Sequence, residues 1–407
     1  MADRPRDLSD RDLVGFKYLD RLLPLLDRLH DVGCRRDRAG NRTLHFDQYC
    51  SLILLAMFNP VARSLRALQQ ASTLRKVQRR LGCPRTSLGA LSEAVEVFDP
   101  HRLEAIIGTL LDDLPRVRSI AGGHVPHVLT AVDGSIVKTL ATLAGAAYLK
   151  DKNGQTHCGW RFHTHFEIDR GVPVRMDVTT AHNGGKTDEK NQLRNRLEPE
   201  RCYVMDRWYG EFALFNDIVR ATSSYVCRIR DNSDLDDVRA ERPLSAAATA
   251  AGVIGDRVVA LGPSSKVRPN HPTRVVLVRA TPHRKTGGRK GGTAGPPSDG
   301  VLRIATNLLD APAEVIADIY RNRWLIELFF RFFKHVLGCR HVLSHNPAGL
   351  QIQAYCAIIA CLLIHLWTGG RPTLRSYEMI VFYLTGWADL DELTAHLEKL
   401  ATAKKAN

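Results

Sequence analysis

The most constraining feature of this 407-residue chain is the stretch that runs from Tyr320 to Lys334. It contains neither glycine nor proline, and its apolar residues recur at helical spacing. Pro312 lies upstream at a position suited to the first turn of a helix, and Asp310 is a plausible N-cap. We therefore expect one long helix that starts near Pro312 and continues through Lys334.

Four polar residues fall on one face of this expected helix. Tyr320, Arg323, Glu327 and Lys334 are separated by three, four and seven residues, so a rotation of about 100° per residue places them on one stripe. The opposite stripe is apolar and consists of Leu325, Ile326, Phe329, Phe332 and Phe333. One interpretation is an amphipathic surface helix with solvated charges. The other is a carboxylate set among cationic groups, which could hold a metal ion beside phosphates.

The charge of the chain indicates the kind of partner. A net charge of +14 suggests a polyanion, and nucleic acid fits better than a membrane, although charge that only serves solubility is an alternative. Nine irregularly spaced cysteines without a C-x-x-C pair favour reduced thiols in a cytosol. The N-terminus lacks an apolar signal-peptide core. The apolar run over residues 354–367 is too short to span a bilayer and predicts a core helix.

The N-terminal third of the chain, residues 1–115, is predicted to be helical and to bind DNA. Helical periodicity occurs at residues 18–32, 47–58 and 62–81. The third segment is basic, and its cationic residues are Arg63, Arg66, Arg75, Lys76, Arg79 and Arg80. A solvated face and a surface that follows DNA phosphates both fit this composition. No helix-turn-helix pattern assigns base recognition to it.

From about residue 116 the pattern changes to short strands. Strands are predicted at residues 128–132, 160–168, 172–179, 202–205 and 225–229, with helices at residues 186–197 and 211–221. Three antiparallel strands followed by alternating strands and helices is the order of a ribonuclease H-like α/β sheet. A β-rich insertion over residues 231–303 interrupts it and includes a flexible basic loop at residues 281–300. The predicted domains are therefore residues 116–345 and a helical C-terminal region, residues 346–407.

Two aspartates are predicted to end strands of this sheet. Asp133 follows residues 128–132, and Asp206 follows residues 202–205. Because strand ends in an α/β sheet converge on one edge, the two carboxylates should lie close together, and a helix packed on the sheet could bring Glu327 to them. Three carboxylates there would bind two divalent ions, which activate a nucleophile and stabilise the leaving oxygen of a phosphodiester.

The Y-(2)-R-(3)-E-(6)-K spacing that starts at Tyr320, with Asp133 and Asp206 upstream, resembles the signature of DDE transposases of the bacterial insertion-sequence-four family. The resemblance covers most of residues 128–338, including the hairpin over residues 161–173 and the insertion. It departs at residues 207 and 208, an Arg-Trp pair where the family commonly has a small residue. The resemblance implies that Asp133, Asp206 and Glu327 hold two Mg²⁺ ions, for which Mn²⁺ can substitute. It also implies DNA-binding roles for Tyr320, Arg323, Lys334 and Trp324, the last against a distorted DNA end.

The activity implied by this resemblance is DNA transposition in a bacterial cytosol. A homodimer would bind double-stranded transposon ends, cleave them, and join the 3′-OH to target DNA. One alternative is a nuclease of the same fold without strand transfer. Another is a domesticated DNA-binding regulator, against which the three acids argue because binding alone does not require them.

A group of histidines could suggest a different metal site. His157, Cys158, His163 and His165 lie close together in the sequence, but their spacing matches no standard zinc finger. We expect hydrogen-bonded histidines of a sheet instead.

Overall fold

The computed structural model describes residues 17–31, 37, 40–59, 61–116, 119–139, 147–150, 156–181, 187–262, 265–280 and 299–405. The chain divides into two compact units. Unit 1 consists of Met1–Val117, Arg170–Val178 and Phe329–Asn407, and unit 2 consists of Arg118–Asp169 and Thr179–Leu328. The basic loop predicted over residues 281–300 lies outside the described residues except at its end.

In the part of the chain that is described, six helices come first, strands mixed with short helices follow between residues 128 and 306, and helices return from residue 313 onward. The helices are α1 (Lys17–Asp27), α2 (Phe46–Phe58), α3 (Leu65–Ala71), α4 (Arg75–Leu81), α5 (Leu88–Val97), α6 (Arg102–Asp112), α7 (Glu189–Arg194), α8 (Phe212–Arg220), α9 (Ala246–Ala250), α10 (Ala313–Asn322), α11 (Trp324–Arg331), α12 (Pro347–Thr368), α13 (Leu374–Thr385) and α14 (Leu390–Lys405). The strands are β1 (Val128–Thr139), β2 (Ala147–Lys150), β3 (Thr156–Glu167), β4 (Val172–Thr180), β5 (Arg201–Met205), β6 (Ser224–Arg228), β7 (Val238–Glu241), β8 (Val253–Val259), β9 (Thr273–Arg279) and β10 (Val301–Thr306).

Unit 1 is organised around α12. Pro347 occupies the first turn of this helix, where a missing N–H costs no hydrogen bond, and Gly369 ends the helix in the left-handed conformation with φ 63°. Every residue from 349 to 365 is buried, and α12 packs against α2, α5 and α6. Among the described residues it is the one helix long and apolar enough to cross a membrane, and 94% of its apolar window is buried inside the protein.

The helix predicted over residues 62–81 is two helices, α3 and α4. The interruption is fixed by Ser72, which is fully buried and accepts a hydrogen bond from the Thr86 backbone N–H at 3.0 Å. Its own hydroxyl donates to the Gln69 carbonyl. Because this anchor comes from a residue 14 positions away, the local periodicity did not reveal the break.

Unit 2 is built on a mixed sheet whose strands follow the order β2-β3-β1-β5-β6-β10-β9-β8-β7. The β1–β5 and β5–β6 pairs are parallel, and the remaining neighbours in this order are antiparallel. A core of buried side chains joins these strands to α7 and α8, and within it the rings of Phe215 and Tyr225 stack at 4.2 Å. The predicted α/β class is therefore correct.

The chain between residues 231 and 303 extends the same sheet. β10 pairs with β6 through Ala305↔Cys227 and with β9 through Ala305↔Val275. β8 and β7 then continue the sheet outward from β9. The inserted strands are therefore bonded directly to the strands that precede them in the chain.

Candidate active site

The register of two parallel strands brings the two predicted aspartates together. The last paired residues of β1 and β5 are Ala131 and Val204. Asp133 and Asp206 each lie two residues beyond this pair, and so they reach the same level of the sheet. Asp206 ends β5 as predicted. The prediction that Asp133 ends its strand is wrong, because β1 continues to Thr139 as the antiparallel partner of β3.

Each aspartate is held by a backbone N–H close to it in the chain. Asp133 Oδ1 accepts from the N–H of Gly134 at 2.8 Å. Asp206 Oδ1 accepts from the N–H of Trp208 at 2.8 Å and so caps a short 3₁₀ turn. The Arg-Trp pair after Asp206 fits this turn because the Trp208 indole is 51% exposed, with Lys190 Nζ 5.3 Å from its ring centroid.

The helix that carries Glu327 differs in two details from the single helix predicted. It begins at Ala313 with Pro312 at the cap position, so the prediction of Asp310 as N-cap is wrong. α10 and α11 are also separated at Arg323, whose N–H bonds to the Tyr320 carbonyl at 3.1 Å as in a tighter 3₁₀ turn. Arg323 keeps helical dihedral angles, φ −51° and ψ −34°, and Glu327 still follows it by one turn.

A buried ion pair in the insertion fixes the start of α10. Arg274 on β9 is 1% exposed and forms two 2.7 Å hydrogen bonds with the carboxylate of Asp256 on β8. Its Nη1 donates to the carbonyl oxygens of Leu308, Leu309 and Ala311, directly before α10. A bidentate pair of this kind holds its partners in one geometry. The insertion therefore positions the helix that carries Arg323.

Arg323 contacts both Asp133 of β1 and Glu327 of α11. Its Nη2 donates to Glu327 Oε1 at 2.7 Å, and its Nη1 lies 3.8 Å from Asp133 Oδ2. The Tyr320 ring centroid is 6.0 Å from the guanidinium carbon, and burial raises the pKa of the Tyr320 phenol. The structure thus groups Tyr320, Arg323, Glu327 and Asp133 within unit 2.

The pKa of Asp133 indicates that the carboxylate of Asp206 is close as well. The pKa of Asp133 is raised to about 6 by burial and, to a smaller extent, by the negative charges of Asp206 and Glu327, against the opposing positive charge of Arg323. Several hard carboxylate oxygens that repel one another are the donor set that divalent cations such as Mg²⁺ prefer. Asp133, Asp206 and Glu327 therefore fit the metal-binding role that the sequence predicts for them.

A fourth carboxylate, Glu189 of α7, was missed in the sequence. Its Oε1 lies 3.3 Å from Arg161 Nε. A methyl group on Gly134 would lie 2.4 Å from the same oxygen, so a larger residue beside Asp133 would displace the Glu189 carboxylate from this position. The pKa of Glu189 is raised to about 7 by burial and, to a smaller extent, by the negative charges of Asp133 and Asp206, against the opposing charge of Arg161. The available signal was the glycine that follows Asp133.

The remaining predicted DNA-binding residues are distributed over both units. Trp324 is 48% exposed in unit 2. Lys334 belongs to unit 1, where residues 332–336 form a π-helical turn, so the regular α-helical spacing ends before it. Burial lowers the pKa of the Lys334 ammonium. The four cations of α4, which are Arg75, Lys76, Arg79 and Arg80, are all exposed, and that helix buries none of its residues. Their DNA-binding roles stay predictions.

Two other sequence expectations have structural outcomes. The apolar stripe of five residues opposite Arg323 is buried throughout. His163 is a hydrogen-bonded sheet histidine, as expected, with Nε2 2.8 Å from the Thr179 hydroxyl. Burial lowers its pKa to about 3, and the charge of Arg161 contributes. The side chains of His157 and Cys158 lie outside the part of the chain that is described.

Comparison with known proteins identifies sequences similar to the region that carries these residues. The family model described as "Transposase DDE domain" matches residues 125–363. The transposase y4zB of Sinorhizobium fredii is 27% identical over 239 residues, which are 55% of this chain and 62% of that protein. A transposase for insertion sequence element IS5377 of Geobacillus stearothermophilus is 28% identical over 207 residues, which are 51% of this chain and 48% of that protein.

The matched regions cover only part of these relatives. The chain spans between 48% and 62% of the length of the two curated proteins. Among solved structures, the chain is similar to a piggyBac transposase in a synaptic complex with hairpin DNA, with a TM-score of 0.44 and 10% sequence identity. That match covers 97% of this chain and 82% of the piggyBac chain.

Proposed function

The chain belongs to the DDE transposase family, and we propose that it cuts DNA at the ends of its own element and joins the freed 3′-OH to target DNA. The observation that carries this proposal is that Asp133 and Glu327 both contact the guanidinium of Arg323. Asp206 lies at the same level of the sheet as Asp133. A protein that only bound DNA would gain nothing from partly buried carboxylates that repel one another.

The metal ions in this proposal are Mg²⁺, with Mn²⁺ as a substitute. Asp133, Asp206 and Glu327 would hold two of them. When bound, such ions activate the attacking water or hydroxyl and stabilise the leaving oxygen of a phosphodiester. The raised pKa of Asp133 supports the assignment, because a cation at this point would remove the repulsion from Asp206 and Glu327.

The other residues of the site would bind and orient the DNA. Arg323 can form paired hydrogen bonds to a phosphate, and it also fixes the carboxylate of Glu327. Tyr320 and Lys334 would contact phosphates near the cut end. Trp324 is exposed and would stack on a base of the distorted end.

The architecture in this proposal is a ribonuclease H-like core flanked by helical regions. It is supported by the chain order β5-α8-β6 after the first strands and by the parallel neighbours β1, β5 and β6. Residues 1–115, with exposed α4, would bind DNA, and residues 116–345 would form the catalytic domain. The partner is double-stranded DNA, as transposon ends and target, bound by a homodimer in the bacterial cytosol.

The deciding experiment supplies the full chain with Mg²⁺, DNA that carries its own element ends, and a target plasmid. We expect nicked ends and joined products, which sequencing of the junctions would identify. Asp133→Asn, Asp206→Asn and Glu327→Gln should each abolish cleavage and leave end binding intact. Asp318→Asn, at an acid of α10 that is paired with Arg321 and has a side chain 45% exposed, is the matched control and should cleave normally.

Three outcomes would change the proposal. Cleavage without joined products would favour a nuclease of the same family. Binding without cleavage by the unaltered chain would favour a regulator. Near-normal cleavage by one of the three acid variants would remove that residue from the site.

A further inference from the structure

Two half-exposed indoles of unit 2 each follow a residue of the proposed active site in the chain. Trp324 comes directly after Arg323 and is 48% exposed, and Trp208 comes two residues after Asp206 and is 51% exposed. We propose that Trp208 is a second DNA-binding aromatic residue, which stacks on an unpaired base beside the cut on the side of Asp206. This inference rests on the proposed function, because it takes the acids of the site to cut DNA.

The backbone that carries Trp208 is held on both sides of the indole. The Trp208 N–H donates to Asp206 Oδ1 at 2.8 Å, and the Tyr209 N–H donates to the Asp206 carbonyl oxygen at 3.2 Å. The Tyr209 side chain is buried in the core of unit 2. The Gly210 N–H closes the turn on the Arg207 carbonyl at 3.3 Å. Because this backbone is fixed before DNA binds, little ordering entropy is lost when a base stacks on the indole.

A cation lies over the Trp208 ring. Lys190 of α7 has its Nζ 5.3 Å from the ring centroid and 3.1 Å from Glu211 Oε2. The ring attracts the ammonium, and Glu211 keeps the ammonium in place. The neighbouring side chain of Arg207 is exposed and adds a second positive charge. An accessible aromatic surface with cations beside it is the combination that binds a base together with its phosphates.

The same lysine acts on a buried thiol that the proposed site also influences. Cys227 Sγ donates to the Asp206 carbonyl oxygen at 3.3 Å. Burial raises the pKa of the Cys227 thiol and the negative charge of Asp206 adds to the rise, whereas the positive charges of Arg323 and Lys190 oppose it. Arg323 and Lys190 are therefore both close to this thiol, and the indole beside Lys190 belongs to the same edge of the sheet as the site.

The stacking surface of Trp208 has a defined kind of ligand. A base can stack on an indole only where it is unpaired or displaced from the duplex. A fully paired duplex offers no free base face, so Trp208 should contribute little to its binding. The inference therefore predicts that Trp208 favours DNA ends with unpaired nucleotides over intact duplex.

The test measures DNA binding without cleavage, by the full chain that carries Asp133→Asn. The probes are duplexes of the element's own end with 2-aminopurine at successive positions beside the cut, either fully paired or mismatched there. The fluorescence of 2-aminopurine is quenched when the base stacks. We expect Trp208→Ala to weaken binding of the mismatched duplex about 5–150-fold and to remove the quenching at one or more positions. Its affinity for the paired duplex should be nearly unchanged.

Two further variants separate stacking from packing. Trp208→Phe keeps an aromatic face and should retain most of the affinity for the mismatched duplex. Trp208→Leu fills space without such a face and should lose affinity as Trp208→Ala does. Trp387→Ala, at the 85% exposed indole of unit 1, is the matched control and should bind like the parent protein. Unfolding temperatures would establish that each variant is folded.

The outcomes distinguish this inference from the proposed function. Equal affinity of Trp208→Ala and the parent protein for the mismatched duplex, with unchanged quenching, would overturn the inference alone, because the parent would still bind its ends. Normal binding by Trp208→Leu would also overturn it, since packing would then be sufficient. Failure of the parent protein to bind end DNA would contradict the proposed function, and the inference would fall with it.

Discussion

The guanidinium of Arg323 donates a 2.7 Å hydrogen bond to Glu327, one helical turn further on, and the two side chains share the face that meets Asp133. The positive charge of Arg323 opposes the rise in the pKa of Asp133. A carboxylate must be ionised to bind a divalent cation, so the charge of Arg323 extends the range of pH over which Asp133 can do so.

We predict that Arg323→Gln shifts the acidic limb of the pH profile for first nicking to higher pH. The physical reason is that loss of the guanidinium lets the pKa of Asp133 rise further. Nicking rates at limiting metal concentration, between about pH 5 and 9, would measure the shift. Arg321→Gln, an exposed neighbour on α10, should leave the limb in place. An acidic limb at the same pH in Arg323→Gln and the unaltered chain would contradict the prediction.

A second prediction concerns the stability of the metal-free protein. The pKa of Asp133 rises from its ordinary 3.8 to about 6 on folding, so the folded state holds this proton more tightly than the unfolded state. The stabilisation that comes from this tighter proton binding is complete below about pH 4 and is lost as the pH rises through about 6. Asn cannot ionise. Asp133→Asn should therefore be more stable than the unaltered chain at about pH 8 by about 2–3 kcal/mol, and nearly equal to it at about pH 4.

Denaturant unfolding in the presence of a chelator would measure the free energy of unfolding of Asp133→Asn and of the unaltered chain at both pH values. Asp310→Asn, at an exposed position, should show no comparable dependence on pH. Equal destabilisation by Asp133→Asn at both pH values would mean that the carboxylate is held by compensating contacts and not under repulsion.

The contact between Gly134 and Glu189 gives a third prediction. A methyl group at residue 134 would lie 2.4 Å from Glu189 Oε1, so Gly134→Ala should destabilise the protein by about 1–3 kcal/mol. Glu189→Ala removes the obstructing carboxylate, and the double variant should recover part of this loss, with a coupling energy of about 0.5–3 kcal/mol. Gly108→Ala is the control. Gly108 lies inside α6 with nothing within 4 Å of the added atom, so its replacement by alanine should stabilise the protein by about 0.5–1 kcal/mol. Additive effects of the two changes would exclude the contact.

A fourth prediction concerns α4. Arg75→Glu, Arg79→Glu and Arg80→Glu together should weaken DNA binding and flatten its salt dependence, by about 0.9 log units of slope for each lost phosphate contact. The measurement is the dissociation constant for end DNA over a range of salt concentrations. Arg102 is exposed on α6 of the same unit, and Arg102→Glu is the control for a nonspecific effect of the change in charge on DNA binding. A slope that is unchanged in the triple variant would show that this face is merely solvated.

The fifth prediction concerns Trp324, which is 48% exposed beside Arg323. Stacking on a displaced base contributes about 1–3 kcal/mol. Trp324→Ala should therefore leave the unfolding temperature and first nicking nearly unchanged and slow a later step that needs the distorted DNA end. Trp387→Ala, at an 85% exposed indole of unit 1, should affect no step. A large fall in unfolding temperature with equal loss of all steps would mean that the Trp324 indole has a packing role.

The sequence predicted the parts of the site that depend on local pattern. The apolar stripe of α11 and of the π-helical turn that follows it, and the position of Asp206 at the end of β5, follow from periodicity within a few residues. The continuation of β1 past Asp133 does not follow from local pattern, because its partner is β3, about 30 residues away in the chain. Asp-Gly is a strong turn signal by itself, and pairing with a distant strand overrode it.

Long-range contacts account for the other differences. Ser72 breaks the basic segment through a bond to Thr86, and Arg274 reaches Asp256 and the carbonyls before α10 through sheet pairing. Glu189 enters the acidic site from a helix that looked merely polar. None of these relationships has a periodic signature, since each joins residues from different elements.

The bonding of Arg274 has a consequence for how such proteins can diverge. Arg274 and Asp256 lie on two inserted strands, and the carbonyls that accept from Arg274 belong to residues 308, 309 and 311 outside the insertion. An exchange of residues 231–303 between relatives would therefore separate the guanidinium from its acceptors unless the following turn were exchanged with it. The insertion and the start of α10 should be inherited as one block, and new sequence should accumulate only in the turns that join the inserted strands.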